Sequence, residues 1–126
     1  MEKRIIQTDN APAPIGPYNQ AIRSGALLFA SGQIALIPGT DELNMANIID
    51  ETHQVMKNIG AVLSASGLDF THVVKTTIFL SDMSLFKDVN DIYGSYFAGD
   101  YPARETVAVK GLPRNVNVEI AVIAVG

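Results

Sequence analysis

Cysteine is absent from this chain of 126 residues. That removes a disulfide framework, a thiolate nucleophile and every zinc site built on cysteine sulfur. It also fits a reducing compartment. Histidine is scarce. His53 and His72 are the two present, neither has a second histidine at metal-ligand spacing, and both are expected at the surface, so no metal is expected. Basic residues are fewer than acidic ones, nine against thirteen, and the net charge is −4. They are scattered singly, whereas nucleic-acid binding draws on a clustered positive footprint. No nucleic-acid partner is expected. Long apolar runs are missing as well. The longest, Ile120 to Val125, is far short of a membrane span. The polar start from Met1 to Gln7 lacks the character of a secretory signal, so the expected location is the cytoplasm. There is no internal repeat, low-complexity tract or phosphate-cradling glycine loop, and Gly111-Leu112-Pro113 reads as a turn.

What is present is a core. The chain is 48% hydrophobic, enough for one domain over residues 1–126 without staples. Lys3–Gln7 reads as a short strand. Asn10 to Tyr18 holds Pro12, Pro14, Gly16 and Pro17, which makes a stiff extended loop. Ala21–Arg23 and Leu27–Ala30 flank Ser24-Gly25 as a hairpin. A helix is expected from Ile48 to Ser66, with Thr52, Val55, Met56, Ile59, Val62 and Leu63 as its apolar stripe. Asn47 suits its N-cap, Asp50 and Glu51 its first turn, and Gly67 its stop. Gly60 is a mild cost inside it. Val73–Leu80 is β-branched and aromatic, hence a strand. A second helix is expected from Ser84 to Phe97, stopped by Gly99. Ala103–Val109 and Val116–Val125 complete the strands. The class is α+β or a mixed α/β sheet.

The last strand is apolar on both faces. Val116, Val118, Ile120, Val122 and Ala124 share one face. Ala121, Ile123 and Val125 share the other with Asn117 and Glu119. Two helices cover only one face of such a sheet, and a large bare apolar patch is uncommon on a soluble monomer. The simplest cover is another copy of the chain, so a homo-oligomer is expected; loops of the same chain are the other way to close that face.

Glu119 is the oddest residue, a carboxylate inside a core-like strand. Apolar surroundings raise a carboxylate pKa and suit it to acid–base work near neutral pH. A solvent-facing position on a half-buried strand explains it too. Arg104, in Pro102-Ala103-Arg104, offers the planar fork that grips a carboxylate. It suits equally an exposed ion pair with Glu119, which contributes little. If the last two strands form an antiparallel hairpin about Leu112-Pro113, one register sets Arg104 opposite Ala121 and Thr106 opposite Glu119. Arg104, Thr106 and Glu119 would then share the face away from Ile120 and Val122; a slip of one residue separates them. Tyr18 ends the stiff loop and suits a pocket wall or a core anchor. Ser31 has no histidine partner for a nucleophile's role. Gly32 presents a backbone N–H or marks a bend. Asn90 reads as a polar helix position. The acidic pairs Asp41-Glu42 and Asp50-Glu51 read as solvated.

Four segments taken together resemble the RidA/YjgF family of reactive intermediate deaminases. They are Gly16-Pro17-Tyr18-Asn19-Gln20-Ala21-Ile22, Ser31-Gly32-Gln33-Ile34, Pro102-Ala103-Arg104, and Leu112-Pro113 followed by Val118-Glu119-Ile120-Ala121-Val122-Ile123-Ala124. Thr52 to Ile59 is similar as well, and the likeness spans nearly the whole chain. The resemblance implies a chorismate-mutase-like α+β fold, a mixed sheet with two helices on one face. It implies a homotrimer with a barrel-like core and clefts between subunits. The implied reaction is cofactor-free hydrolysis of 2-iminobutanoate and 2-iminopropanoate, products of PLP-dependent dehydratases, to 2-oxo acids and ammonia. By motif, Arg104 would hold the substrate carboxylate, Glu119 would activate water and Tyr18 would close the pocket. Gly32 and Thr106 would offer backbone groups, with Ser31 and Asn90 lining the cleft. Many members carry cysteine at Thr106, serine at Asn19, proline at Ala35 and glutamine at Glu51. An endoribonuclease or translation inhibitor is an alternative, which the acidic balance disfavours; a non-catalytic trimer binding small carboxylates is another.

Overall fold

The structure is a computed structural model, and residues 2–126 are described. Met1, where the polar leading stretch begins, lies outside the described residues. Six strands form one sheet: β1 (Arg4–Ile6), β2 (Ala21–Ser24), β3 (Leu27–Gln33), β4 (Val73–Leu80), β5 (Ala103–Ala108) and β6 (Val118–Val125). Their spatial order is β1-β2-β3-β6-β4-β5. Every pairing is antiparallel except β4 with β5. Two helices, α1 (Ile48–Ala65) and α2 (Phe86–Gly94), complete the α+β fold.

The amphipathic period of α1 buries Thr52, Val55, Met56, Ile59, Val62 and Leu63. The Asn47 side chain caps it by accepting the Asp50 N–H at 2.8 Å, and Gly67 leaves it with φ +74°. Gly60 has a packing reason: a Cβ there would stand 3.3 Å from the Phe70 ring. The second helix is shorter than its apolar stripe suggests. A 3₁₀ turn, Met83–Leu85, precedes α2, which stops at Gly94 rather than near Gly99. Tyr96 and Phe97 follow in turns closed by Tyr93 and Gly94 carbonyls. Their rings still pack, with Phe97 against Tyr93 and Phe70.

Val118, Ile120, Val122 and Ala124 of β6 are buried on the helical side, as their alternation predicts. The opposite side carries the register-paired row Ile5, Ile22, Phe29 and Ile123, with Leu27 beside Val125. Ile5, Leu27, Phe29 and Val125 are all exposed. Thus the helices cover one face and leave an apolar face open.

The β5–β6 hairpin on which a shared face of Arg104, Thr106 and Glu119 depended does not form. β4 lies between the two strands, and β5 returns parallel to β4 after the α2 crossover. The turn at Pro113–Asn115, with Arg114 and Asn115 at φ 56° and 57°, carries the chain past β4 into β6. In the observed register Arg104 faces Thr76, which faces Val122; Thr106 faces Ile78, which faces Ile120. Paired residues share a face. Arg104 and Thr106 therefore sit on the helical face with Ile120 and Val122, and Glu119 sits on the open face. The condition under which these three residues would share a face is therefore not met.

Candidate functional site

Arg104 reaches from edge strand β5 toward α2. Its Nη1 donates to Asn90 Oδ1 at 2.7 Å. Its guanidinium lies 5.6 Å from the Phe86 ring centroid and 5.2 Å from that of Tyr93. Two aromatic faces and an amide thus hold the fork in place. Tyr93 is fixed in turn by donating to Thr76 Oγ1 at 3.0 Å. Burial raises its phenol pKa, while the Thr76 bond and the Arg104 charge pull it down. No carboxylate pairs with Arg104 among the described residues. The guanidinium opens onto a cleft of about 630 Å³ lined by Asn90, Asp91, Tyr93, Gly94, Tyr101 and Pro102. A cationic fork at a cleft has the geometry to accept a carboxylate through paired hydrogen bonds. Asn90 also lines this cleft. Thr106, one step along the same face, has a buried hydroxyl with no hydrogen-bond partner.

Glu119 belongs to a second cluster. Bulged β3 sets Ala30 opposite Val122 but Gln33 opposite Ile120, one residue more than β6 has. Ser31 and Gly32 fall inside this bulge, so they lie within the strand rather than after it. The missing side chain of Gly32 makes room for the Glu119 carboxylate. A Cβ on Gly32 would stand 2.5 Å from Glu119 Oε2. Glu119 is half-buried, and desolvation raises its pKa above the ordinary carboxylate value. No hydrogen bond or ion pair holds its carboxylate among the described residues.

Ser31 is committed to architecture. Its hydroxyl donates to Asn19 O at 2.6 Å, and its N–H to Gln20 O at 2.9 Å. These bonds tie the proline-rich loop to the bulge. Tyr18 is 47% exposed, which removes the core-anchor reading. It lines a small slot with Gly32, Ile15 and Ile34. The slot joins Tyr18 to Gly32, and Gly32 joins Glu119.

The seven candidates therefore divide. Tyr18, Ser31, Gly32 and Glu119 gather at the bulge; Arg104, Asn90 and Thr106 gather at the outer edge of the sheet. The two strand spacings between β6 and β5 amount to roughly 10 Å, and the sheet itself lies between Arg104 and Glu119. Three polar residues that matter here escaped the sequence reading. Gln20 is buried, and its amide donates to the carbonyls of Thr8, Ala11 and Pro12 while accepting the Thr8 N–H. It shapes the loop that ends in Tyr18. Asn58, inside the apolar stripe of α1, donates to Ile34 O and Leu36 O. Glu51, expected in solvent, is fully buried and bonds to Asn117 and Val118. A lone polar residue within an apolar period was the available signal for Asn58. His53 is only partly at the surface, with Nδ1 2.7 Å from the Tyr96 hydroxyl. No helix among the described residues is long and apolar enough to cross a membrane. None of those residues form a cluster of three His, Asp or Glu fit for a metal.

A mixed sheet backed by two helices, with an arginine opening onto a cleft and a desolvated glutamate set against a glycine, defines a small α+β protein with two polar clusters on opposite faces of its sheet. Comparison with known proteins narrows the class. The Endoribonuclease L-PSP family matches residues 8–126. The Reactive Intermediate Deaminase A of Arabidopsis thaliana chloroplasts is 48% identical over 98% of this chain and 66% of its own length. The 2-iminobutanoate/2-iminopropanoate deaminase of Mus musculus is 46% identical over 98% and 91%. The crystal structure of E. coli TdcF with bound serine aligns with a TM-score of 0.93 at 37% identity, covering 98% of each chain. The chain belongs to the Endoribonuclease L-PSP family, also called RidA/YjgF, whose members include reactive intermediate deaminases.

Proposed function

We propose that the protein hydrolyses small 2-imino acids, 2-iminobutanoate and 2-iminopropanoate, to 2-oxo acids and ammonia. The observation that carries this reading is the Glu119 carboxylate, desolvated, free of hydrogen bonds and set against a glycine. Desolvation raises the proton affinity of such a group and makes it a stronger base than a solvated carboxylate. Arg104 binds the substrate carboxylate through its free N–H donors and orients the C=N carbon. Glu119 takes a proton from water as the oxygen attacks that carbon. Glu119 returns that proton to the nitrogen, giving a neutral carbinolamine, and then carries the carbinolamine hydroxyl proton to the same nitrogen as the C–N bond breaks, which releases the 2-oxo acid and ammonia. Side chains and water suffice for every step. Tyr18 closes the pocket, Asn90 holds Arg104, and backbone groups of Gly32 and Thr106 complete the lining.

One sheet separates Arg104 from Glu119, so each site draws Arg104 from one copy and Glu119 from another. The open apolar face supports this, since a homotrimer burying it brings an edge and a bulge of neighbouring copies together. The deaminase names of relatives and the serine bound to TdcF agree with a small amino-acid-like ligand. In this reading the substrates come from PLP-dependent dehydratases in the cytoplasm. The test couples purified protein to a threonine dehydratase reaction and traps the imine with semicarbazide. Wild type suppresses the semicarbazone, and Arg104→Ala and Glu119→Gln lose suppression while still assembling. A wild type that leaves the semicarbazone unchanged refutes the proposal.

A further inference from the structure

Glu51 carries a second buried carboxylate, and the mechanism above makes no use of it. It stands in the first turn of α1 at 0% exposure. Its Oε2 accepts the Asn117 N–H at 2.8 Å and the Val118 N–H at 3.3 Å, and its Oε1 accepts from Asn117 Nδ2 at 2.8 Å. No cation pairs with it among the described residues. Asn117 is gripped from the other side by Ser81, whose N–H donates to its carbonyl at 2.9 Å and whose hydroxyl donates to Oδ1 at 3.1 Å.

The location explains why a side-chain acceptor is needed. The pairing of β3 with β6 ends at Gln33 and Ile120. Beyond that point β6 has lost its β3 neighbour, and the chain arrives from the left-handed pair Arg114 and Asn115. Val118 is fully buried. Its N–H would be orphaned there, a buried donor without an acceptor. Glu51 supplies the acceptor that a further strand residue would have supplied.

We propose that Glu51 is a positioning residue for Glu119. It fixes the two peptide units that lead into Glu119 and so sets where the Glu119 carboxylate stands over Gly32. This rests on the reading of Glu119 as the base. Among the described residues the Glu119 carboxylate has no hydrogen bond of its own, so its place follows from the backbone that carries it. The role is geometric. A glutamine at 51 keeps both backbone bonds through its amide oxygen, and its amide N–H meets Asn117 Oδ1 once that side amide flips, with the Ser81 hydroxyl then accepting.

The experiment measures kcat, KM and thermal midpoint for wild type, Glu51→Gln, Glu51→Ala, Asn117→Ala and Glu119→Gln. In Glu51→Ala, kcat should fall about tenfold with KM within about twofold, since a small displacement of a reacting group acts on the chemical step. Glu51→Gln should stay within about threefold of wild type. Asn117→Ala keeps both backbone bonds and should lose about threefold in kcat; it carries the test if Glu51→Ala does not assemble. Full kcat per folded site in Glu51→Ala, or in Asn117→Ala where that variant stands in, overturns the proposal and leaves Glu51 structural. A Glu51→Gln variant as slow as Glu51→Ala overturns the geometric role. If Glu119→Gln keeps the wild-type rate, the reading of Glu119 as base fails and the positioning role falls with it. If Glu119→Gln is inactive and Glu51→Ala is not impaired, the positioning role alone fails.

Discussion

Replacing Gly32 with alanine separates stability from chemistry. The added Cβ would stand 2.5 Å from Glu119 Oε2 and 2.8 Å from its Cδ. Ordinary contact begins near 3.4 Å, so the carboxylate must retreat by roughly 0.5–1 Å. The retreat costs the fold little, because the displaced atoms end a flexible side chain and form no hydrogen bond. The Gly32 backbone is outside the left-handed region, so alanine brings no φ strain. The thermal midpoint should therefore change by no more than about 3 °C. Misplacing a reacting group by 1 Å can cost about a hundredfold in rate. The kcat for imine hydrolysis in the semicarbazide-coupled assay should fall roughly 30- to 100-fold, with KM little changed because Arg104 is untouched. A Gly32→Ala/Glu119→Gln double variant should be no slower than Glu119→Gln alone, since both changes act through one carboxylate. A Gly32→Ala enzyme with wild-type kcat would refute the placement of the attacking water beside Glu119.

The raised pKa of Glu119 has a signed consequence. Below the unfolded carboxylate pKa both states are protonated and the fold bears no penalty; as pH rises through the folded value, the native state binds more protons than the unfolded one and stability falls. Glu119→Gln should raise the urea midpoint at pH 8 relative to wild type, with the gain vanishing near pH 4, roughly the unperturbed carboxylate value. An equal gain at both pH values would contradict desolvation as the cause. Gln20→Ala strands the Thr8, Ala11 and Pro12 carbonyls; urea unfolding should show a loss of about 2–4 kcal/mol, and a loss below 1 kcal/mol, roughly a single hydrogen bond, would deny the loop its anchor. Phe29→Asp on the open apolar face should yield monomers in sedimentation velocity and abolish deamination; an intact oligomer would place the interface elsewhere.

Periodicity made much of the fold legible. The stripe of α1, its Asn47 cap, the Gly67 stop and the alternation along β6 are local patterns that burial confirms. The placement of β5 was not legible. Nothing within residues 103–125 says that β4, some thirty residues upstream, takes the place beside β5; pairing between distant strands is decided by packing of the whole sheet. The faces of Arg104 and Glu119 followed from that pairing, so their relation was lost with it. Glu51 misled for a related reason. Acidic residues in a first helical turn favour the helix dipole and usually face water, and its buried donors come from residues 117 and 118 at the far end of the chain. The four family-like segments point to one family because they name the clusters, although not how the clusters face one another.

The crossover that carries the chain from β4 through α2 to a parallel β5 sets Arg104 and Glu119 on opposite faces of the sheet, and in the proposed reaction this parts its ownership. On the proposed reading each chain gives its arginine to one site and its glutamate to another, so a defect in either residue is not confined to the chain that bears it. Two inactive preparations, Arg104→Ala and Glu119→Gln, therefore regain activity when unfolded together and allowed to reassemble. At equal proportions about a quarter of the sites receive an intact arginine and an intact glutamate.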